Sequence, residues 1–312
     1  MCASVIVPSL FPFMVISSML VRSGAALTLG NWITRPVRHL FRLPGCAGGA
    51  VLLGALCGFP VGAKISCEMY ERGFLTKREC QRLIAIANNT GPSFVIEVVG
   101  AHFWGSRGMG LSIYAAQILS AMIIGWITSR KESAHSESPM PSAVRCDALQ
   151  CLASSVSQAA RSVLSVCGFI VFFAVIASIV KQQLSDLRLD FLSPWIAAVL
   201  EFSTGASLAA DNGGVGGAFL TGFAVGWSGV SVFAQCKAFT APYGISLRFA
   251  AVCKAIQGVL TGAAAALYFA LRYTPSATVS AVIPVQDASL AHLIAPFLLL
   301  AIASGQIRRK NS

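Results

Sequence analysis

The sequence predicts an all-α polytopic membrane protein made of two inverted repeats, each holding a re-entrant hairpin and a broken helix. Three observations lead to that class. Only 11% of the 312 residues are charged and 55% are apolar, against roughly 25% charged in soluble domains. Mean hydropathy is +0.72, so a soluble fold would lack the charge to cover its surface. Finally, Gly/Pro and amide-rich breaks interrupt apolar segments in both halves of the chain, the pattern of discontinuous membrane helices.

The net charge of +11 reads as topology. Arg35, Arg38 and Arg42, then Arg72, Lys77, Arg78 and Arg82, then Arg308, Arg309 and Lys310 flank apolar segments, as the positive-inside rule and anionic headgroups require. The bilayer is therefore an expected partner and nucleic acid is not. The ten cysteines form no C-x-x-C pair, and His39, His102, His135 and His292 are too scattered to hold a metal. With no nucleophile elbow, phosphate loop or paired carboxylates, the chain is expected to have no catalytic residues, metal or cofactor.

The chain divides into an N-terminal repeat (1–129), a polar linker (130–148) and a C-terminal repeat (149–312). Residues 3–21 are apolar from the start and lack a small-residue cleavage site, so they read as a first span, not a cleavable signal. Arginines and aromatics mix over 22–44, which suits an interfacial amphipathic stretch. At 45–72 two apolar arms, each too short to span, surround Gly58, Pro60 and Gly62. They read as the first hairpin; one span kinked at Pro60 is the alternative. Thr76 and Glu79 fit a capping box for a helix ending at Asn88, Asn89, Thr90, Gly91, Pro92 and Ser93. Such a break survives at membrane depth only where protein or a cavity covers the freed backbone. Residues 109–128 form an ordinary span.

After the linker, Val163–Val180 is the cleanest span, ~27 Å long. A second hairpin is expected near 215–240, with Gly226 and Gly229 around its break. A helix over 246–271 and a span near 290–307 complete the chain. In this register Gly54 and Gly58 lie over Gly222 and Gly226, and Arg78 over Arg248. Orientation turns on 194–210. As an interfacial half-helix it leaves the halves inverted; as a span it puts Arg308–Lys310 inside. Glu201 and its serine neighbours suit the first arrangement better.

The segments Pro8–Phe13 (PSLFPF), Gly58–Lys64 (GFPVGAK), Asn88–Pro92 (NNTGP) and Gly226–Gln235 (GWSGVSVFAQ) resemble, in this order, the YlbJ-type sporulation integral membrane proteins. Those belong to the nucleoside-recognition (gate) domain family. The resemblance implies a multi-pass protein of the cell membrane or outer forespore membrane of an endospore former. It also implies a transporter carrying dipicolinate, a small aromatic dicarboxylate, during spore maturation. Departures are Phe59 for the family's Tyr, a second Asn before Asn89-Thr90-Gly91-Pro92, and Phe233 where relatives often carry His. Relatives also have an apolar helix before the first of these segments, which here follows Met1 almost directly.

Half-helix N-termini offer backbone N–H groups and partial positive charge to an anion. The residues expected to bind the solute are Lys64, Ser66, Asn88, Asn89, Thr90, Ser93, Ser231 and Gln235. Lys64 is the full positive charge beside a break, although it could instead snorkel to headgroups; the amides could instead cap a helix end. Glu97, Glu201 and Lys254 are charges in apolar surroundings, costly unless paired or solvated, and are candidates for ion coupling. Arg248 or Lys254 could pair with one of the two carboxylates. Two other classes stay open: a carrier of nucleosides or another small solute, and a spore-envelope scaffold that transports nothing. A homo-oligomer or other spore-membrane proteins are further possible partners.

Overall fold

The computed structural model describes residues 7–23, 31–130 and 148–273, in which every regular element is helical. Most of the linker and the span expected near 290–307 lie outside the described residues. The α-helices are α1 (Val7–Arg22), α2 (Thr34–Phe41), α3 (Gly48–Cys57), α4 (Val61–Glu71), α5 (Lys77–Ala87), α6 (Arg107–Ser129), α7 (Ala148–Asp186), α8 (Ser193–Leu200), α9 (Phe202–Asn212), α10 (Gly214–Trp227), α11 (Gly229–Thr240) and α12 (Arg248–Arg272). A π-helical segment, Phe94–Phe103, lies between α5 and α6.

Among the described residues α6, α7, α12 and the joined α10–α11 are long and apolar enough to cross a membrane. α2 with Gly45–Cys57 makes a fifth candidate, bent by 111°. α7, 39 residues long, reaches ~58 Å, about twice the hydrocarbon thickness. It leaves Leu164, Val171, Phe172, Val175 and Ile179 exposed, a face suited to lipid. α2 is the expected amphipathic helix, with Val37 and Phe41 buried and Arg35, Arg38 and His39 exposed. Arg82 donates to the Phe41 carbonyl and Ser129 Oγ to that of Leu40 at 2.8 Å, tying α2 to the long helices.

The first hairpin breaks where expected. Gly58 has φ 77° and ψ −175°, a conformation that suits glycine, and the Phe59–Pro60 bond is cis. α3 and α4 pack together and on α5. The Ala87 carbonyl is the wedge: a Cβ on Gly54 or Gly62 would lie 2.0 or 2.4 Å from its oxygen. The capping box also forms, with Thr76 Oγ1 accepting from Glu79 N at 3.3 Å and Glu79 Oε2 from Thr76 N at 2.8 Å.

The second half differs from expectation. α10 and α11 do not turn back on each other; Gly214–Tyr243 runs as one 30-residue span, broken at Ser228 (φ 76°) and Gly229 (φ 82°). The reversal comes earlier, at Glu201, where α8 and α9 pack together so closely that a Cβ on Gly205 would meet Ala198 Cα at 2.2 Å. Residues 194–210 are thus two short helices and not one span. Gly222 and Gly226, whose spacing suggested a hairpin arm, instead admit α12: a Cβ on them would lie 2.7 Å from the Thr261 and 2.8 Å from the Gln257 carbonyl oxygen. Along the chain the packed pair α3–α4 precedes α5, the π-segment and α6, and the packed pair α8–α9 precedes α10, α11 and α12.

Candidate functional site

Each hairpin tip rests on the helix break of its own half. A Cβ on Gly58 would stand 2.6 Å from Gly91 N, and one on Gly229 would stand 3.0 Å from Phe202 N. The two tips meet through Phe59 and Phe202, ring centroids 5.0 Å apart and edge-on, with Phe94 5.2 Å from Phe202. The two breaks are also joined. Thr90 Oγ1 donates to the Val225 carbonyl at 3.3 Å and Asn88 Nδ2 to Cys236 Sγ at 3.2 Å.

Behind the breaks α5, α6 and α12 close on a buried polar network. Lys254 Nζ donates to Asn89 Oδ1 at 2.9 Å and to Gln257 Oε1 at 2.8 Å. Gln257 Nε2 donates to the same Asn89 oxygen and to the Gln117 carbonyl, both at 2.9 Å. Lys254 is 2% exposed, and among the described residues no carboxylate pairs with it. Burying an ammonium without a counter-charge is expensive, so two neutral amides are a thin shell for it. Nearby oxygens and nitrogens are left without partners: Asn88 Oδ1, both polar atoms of the Gln117 amide, and the side-chain oxygens of Ser228, Ser231 and Gln235. Asn88, Ser228, Val232, Phe233, Cys236 and Lys254 line a narrow cleft with room for about one water molecule.

Of the residues expected to bind solute, Asn88, Asn89 and Thr90 lie in this region, and Ser231 and Gln235 are buried on α11 beside it. Lys64 lies apart: its ammonium donates to Ser18 Oγ on α1 at 2.9 Å and stands 3.9 Å from Glu68 of its own helix. Ser66 Oγ donates to the Gly62 carbonyl at 2.7 Å. Ser93 makes no side-chain cap bond to the segment it precedes. Glu97 forms an exposed ion pair with Arg107 at 3.1 Å. Gly58, Pro60, Gly62, Gly91, Pro92, Gly226 and Gly229 all stand at or beside the chain breaks.

Glu201 pairs with neither Arg248 nor Lys254. It is fully buried and caps α9, accepting from Ser203 N at 3.1 Å, Ser203 Oγ at 2.5 Å, Thr204 N at 2.7 Å and Thr204 Oγ1 at 2.9 Å. Four donors and a helix N-terminus stabilise the charge locally. Glu201→Ala is expected to cost about 2 kcal/mol, the upper end for a lost cap, read as a lower thermal midpoint in detergent; an unchanged midpoint would remove the cap from the stability account.

Gln117, Gln257 and Ser228 were not anticipated. The legible signal was Lys254, Gln257 and Thr261 at i, i+3 and i+7, one polar stripe on an apolar helix. Thr261 Oγ1 lies 3.2 Å from Ser120 Oγ of α6, which extends the network.

Across 310 aligned residues the chain is 26% identical to the sporulation integral membrane protein YlbJ of Bacillus subtilis (strain 168), covering 87% of this chain and 74% of that protein. Over 112 residues it is 29% identical to the uncharacterized protein BpOF4_10220 of Alkalihalophilus pseudofirmus, covering 36% of this chain and 24% of that one. No family model matches, and no solved structure does. The YlbJ-type likeness read at the breaks thus extends over most of the chain. With the long apolar helices, it makes this a multi-pass integral membrane protein.

Proposed function

We propose that this chain, a YlbJ-type integral membrane protein of sporulation, is a carrier and not an enzyme. Its solute is a small organic anion, dipicolinate, moved across the outer forespore membrane. The observation that carries the reading is Lys254: a buried amine without a carboxylate partner among the described residues, set behind two helix breaks that are bonded to each other. A site for an anion can use the charge this amine takes up on protonation, and the free site surrounds it with amides alone. One carboxylate of the solute would meet Lys254, and the other the free N–H groups at the start of α11. Phe59, Phe94 and Phe202 offer apolar edges for its ring. The cleft is too narrow for the solute as it stands, so loading requires the tips to part.

In a deletion strain, dipicolinate is expected to be made but retained in the mother cell, leaving spores depleted of it. Normal spore dipicolinate would sink the reading and favour a scaffold. A neutral solute such as a nucleoside is favoured by one observation, that every other polar group around Lys254 is uncharged. Lys254 would then be dispensable for transport and the amides would not.

A further inference from the structure

We propose that transport is coupled to protons and that Lys254 carries the coupling proton. This rests on the carrier reading above and names its driving ion. An ammonium has three N–H donors, whereas a neutral amine has two donors and one lone pair. Lys254 Nζ has two acceptors, Asn89 Oδ1 and Gln257 Oε1. The empty site therefore satisfies both N–H donors of the neutral amine, and the third N–H of the ammonium has no acceptor among the described residues. A solute carboxylate supplies what that N–H lacks, an acceptor and a counter-charge together.

The surroundings leave this task to Lys254. The titratable groups close to it are the thiols of Cys236 on α11 and Cys253 on α12. Among the elements packed on α12, α10 has no titratable side chain. α6 contributes Gln117, and its Tyr114 hydroxyl is engaged with the Ala55 carbonyl at 3.0 Å. On α5, Lys77, Arg78, Glu79 and Arg82 belong to the first two turns, away from Asn88, and Arg82 is bound to Phe41. Arg107, Arg248 and Arg272 lie at the ends of their helices, and Lys237 on α11 is exposed. Glu97 is paired with Arg107 and Glu201 with its own cap. No carboxylate is left in the described part of the site to take the role.

The step balances simply. At the proton-rich face a hydronium ion gives its proton to the amine lone pair, forming the third N–H and leaving water. That N–H is donated to the entering carboxylate. At the other face the dicarboxylate leaves, water takes the same proton, and the empty carrier returns with a neutral amine and no buried charge to move. No bond of the solute changes. By linkage, protonation raises affinity for the dicarboxylate by the factor by which the dicarboxylate raises affinity for the proton.

The test uses the full-length protein in proteoliposomes with pyranine in the lumen and the membrane potential clamped at zero. External dipicolinate is expected to acidify the lumen, with one proton entering per solute. An imposed inward proton gradient should drive accumulation to about tenfold per pH unit for one coupled proton. Lys254→Arg keeps the charge at every working pH, so whatever net uptake it retains should acidify nothing. Wild-type net uptake of dipicolinate without acidification or accumulation overturns the coupling and leaves the carrier reading standing. So does Lys254→Arg with the wild-type proton ratio. Absence of wild-type counterflow overturns both.

Discussion

Lys254→Met is expected to lower dipicolinate uptake by about two orders of magnitude, while Lys64→Met keeps most of it. Removing one member of a buried charge pair costs about 3–5 kcal/mol, and each 1.4 kcal/mol is tenfold in affinity. The methionine keeps most of the volume and leaves Asn89 Oδ1 satisfied by Gln257, so the loss falls on the solute more than on the fold. Lys64 spends its charge on Ser18 and Glu68, and a helical i,i+4 pair of this kind contributes only about 0.3–0.5 kcal/mol. Uptake into vesicles at equal protein content, with thermal midpoints as a control, separates the two. The reverse ranking would return the substrate charge to the first hairpin.

The largest effect on stability is expected at the wedge between the first hairpin and α5. Gly54→Val or Gly62→Val drives a side chain into the Ala87 carbonyl, 2.0 and 2.4 Å from where the Cβ would lie. That oxygen belongs to the backbone at the end of α5, one residue before Asn88, and cannot swing aside as a side chain would. The cost should reach about 3 kcal/mol or more, the upper range for overpacking. Each variant should accumulate poorly and lose a monodisperse peak on size-exclusion chromatography. The double variant should cost less than the sum, because both clashes involve one carbonyl. Wild-type melting of Gly54→Val would mean the hairpin has slack.

What could be read in advance was whatever depends on near neighbours in the chain. Thr76 and Glu79 announce a cap because both partners lie within four residues, and Gly58 with Pro60 announces a break because the backbone there needs them. The second hairpin escaped notice because its tip is a carboxylate. Glu201 followed by Phe202, Ser203 and Thr204 is a helix start, yet by composition it is equally a charge that needs a cavity, a partner or a boundary position. The glycines at 222 and 226 misled because close helix packing and a hairpin arm call for the same residue. Lys254 is legible as a charge in an apolar helix with Gln257 one turn on, but its other amide partner, Asn89, lies 165 positions away, and spacing gives no hint of such a distance. Lys64 took the role in its place by standing next to Pro60, although Glu68, one turn on, already offered it a local partner.

The contact between Phe59 and Phe202 gives the molecule a fault line. Among the described residues no hydrogen bond joins the two tips; they touch through ring edges, worth about 0.5–1.5 kcal/mol beyond the area covered. The lysine network ties α12 to the break after α5 through two bonds of 2.9 Å on Asn89. Under strain the weak seam yields first and the strong one acts as the pivot. On the carrier reading, the apolar tips are the latch of a door hung on Asn89.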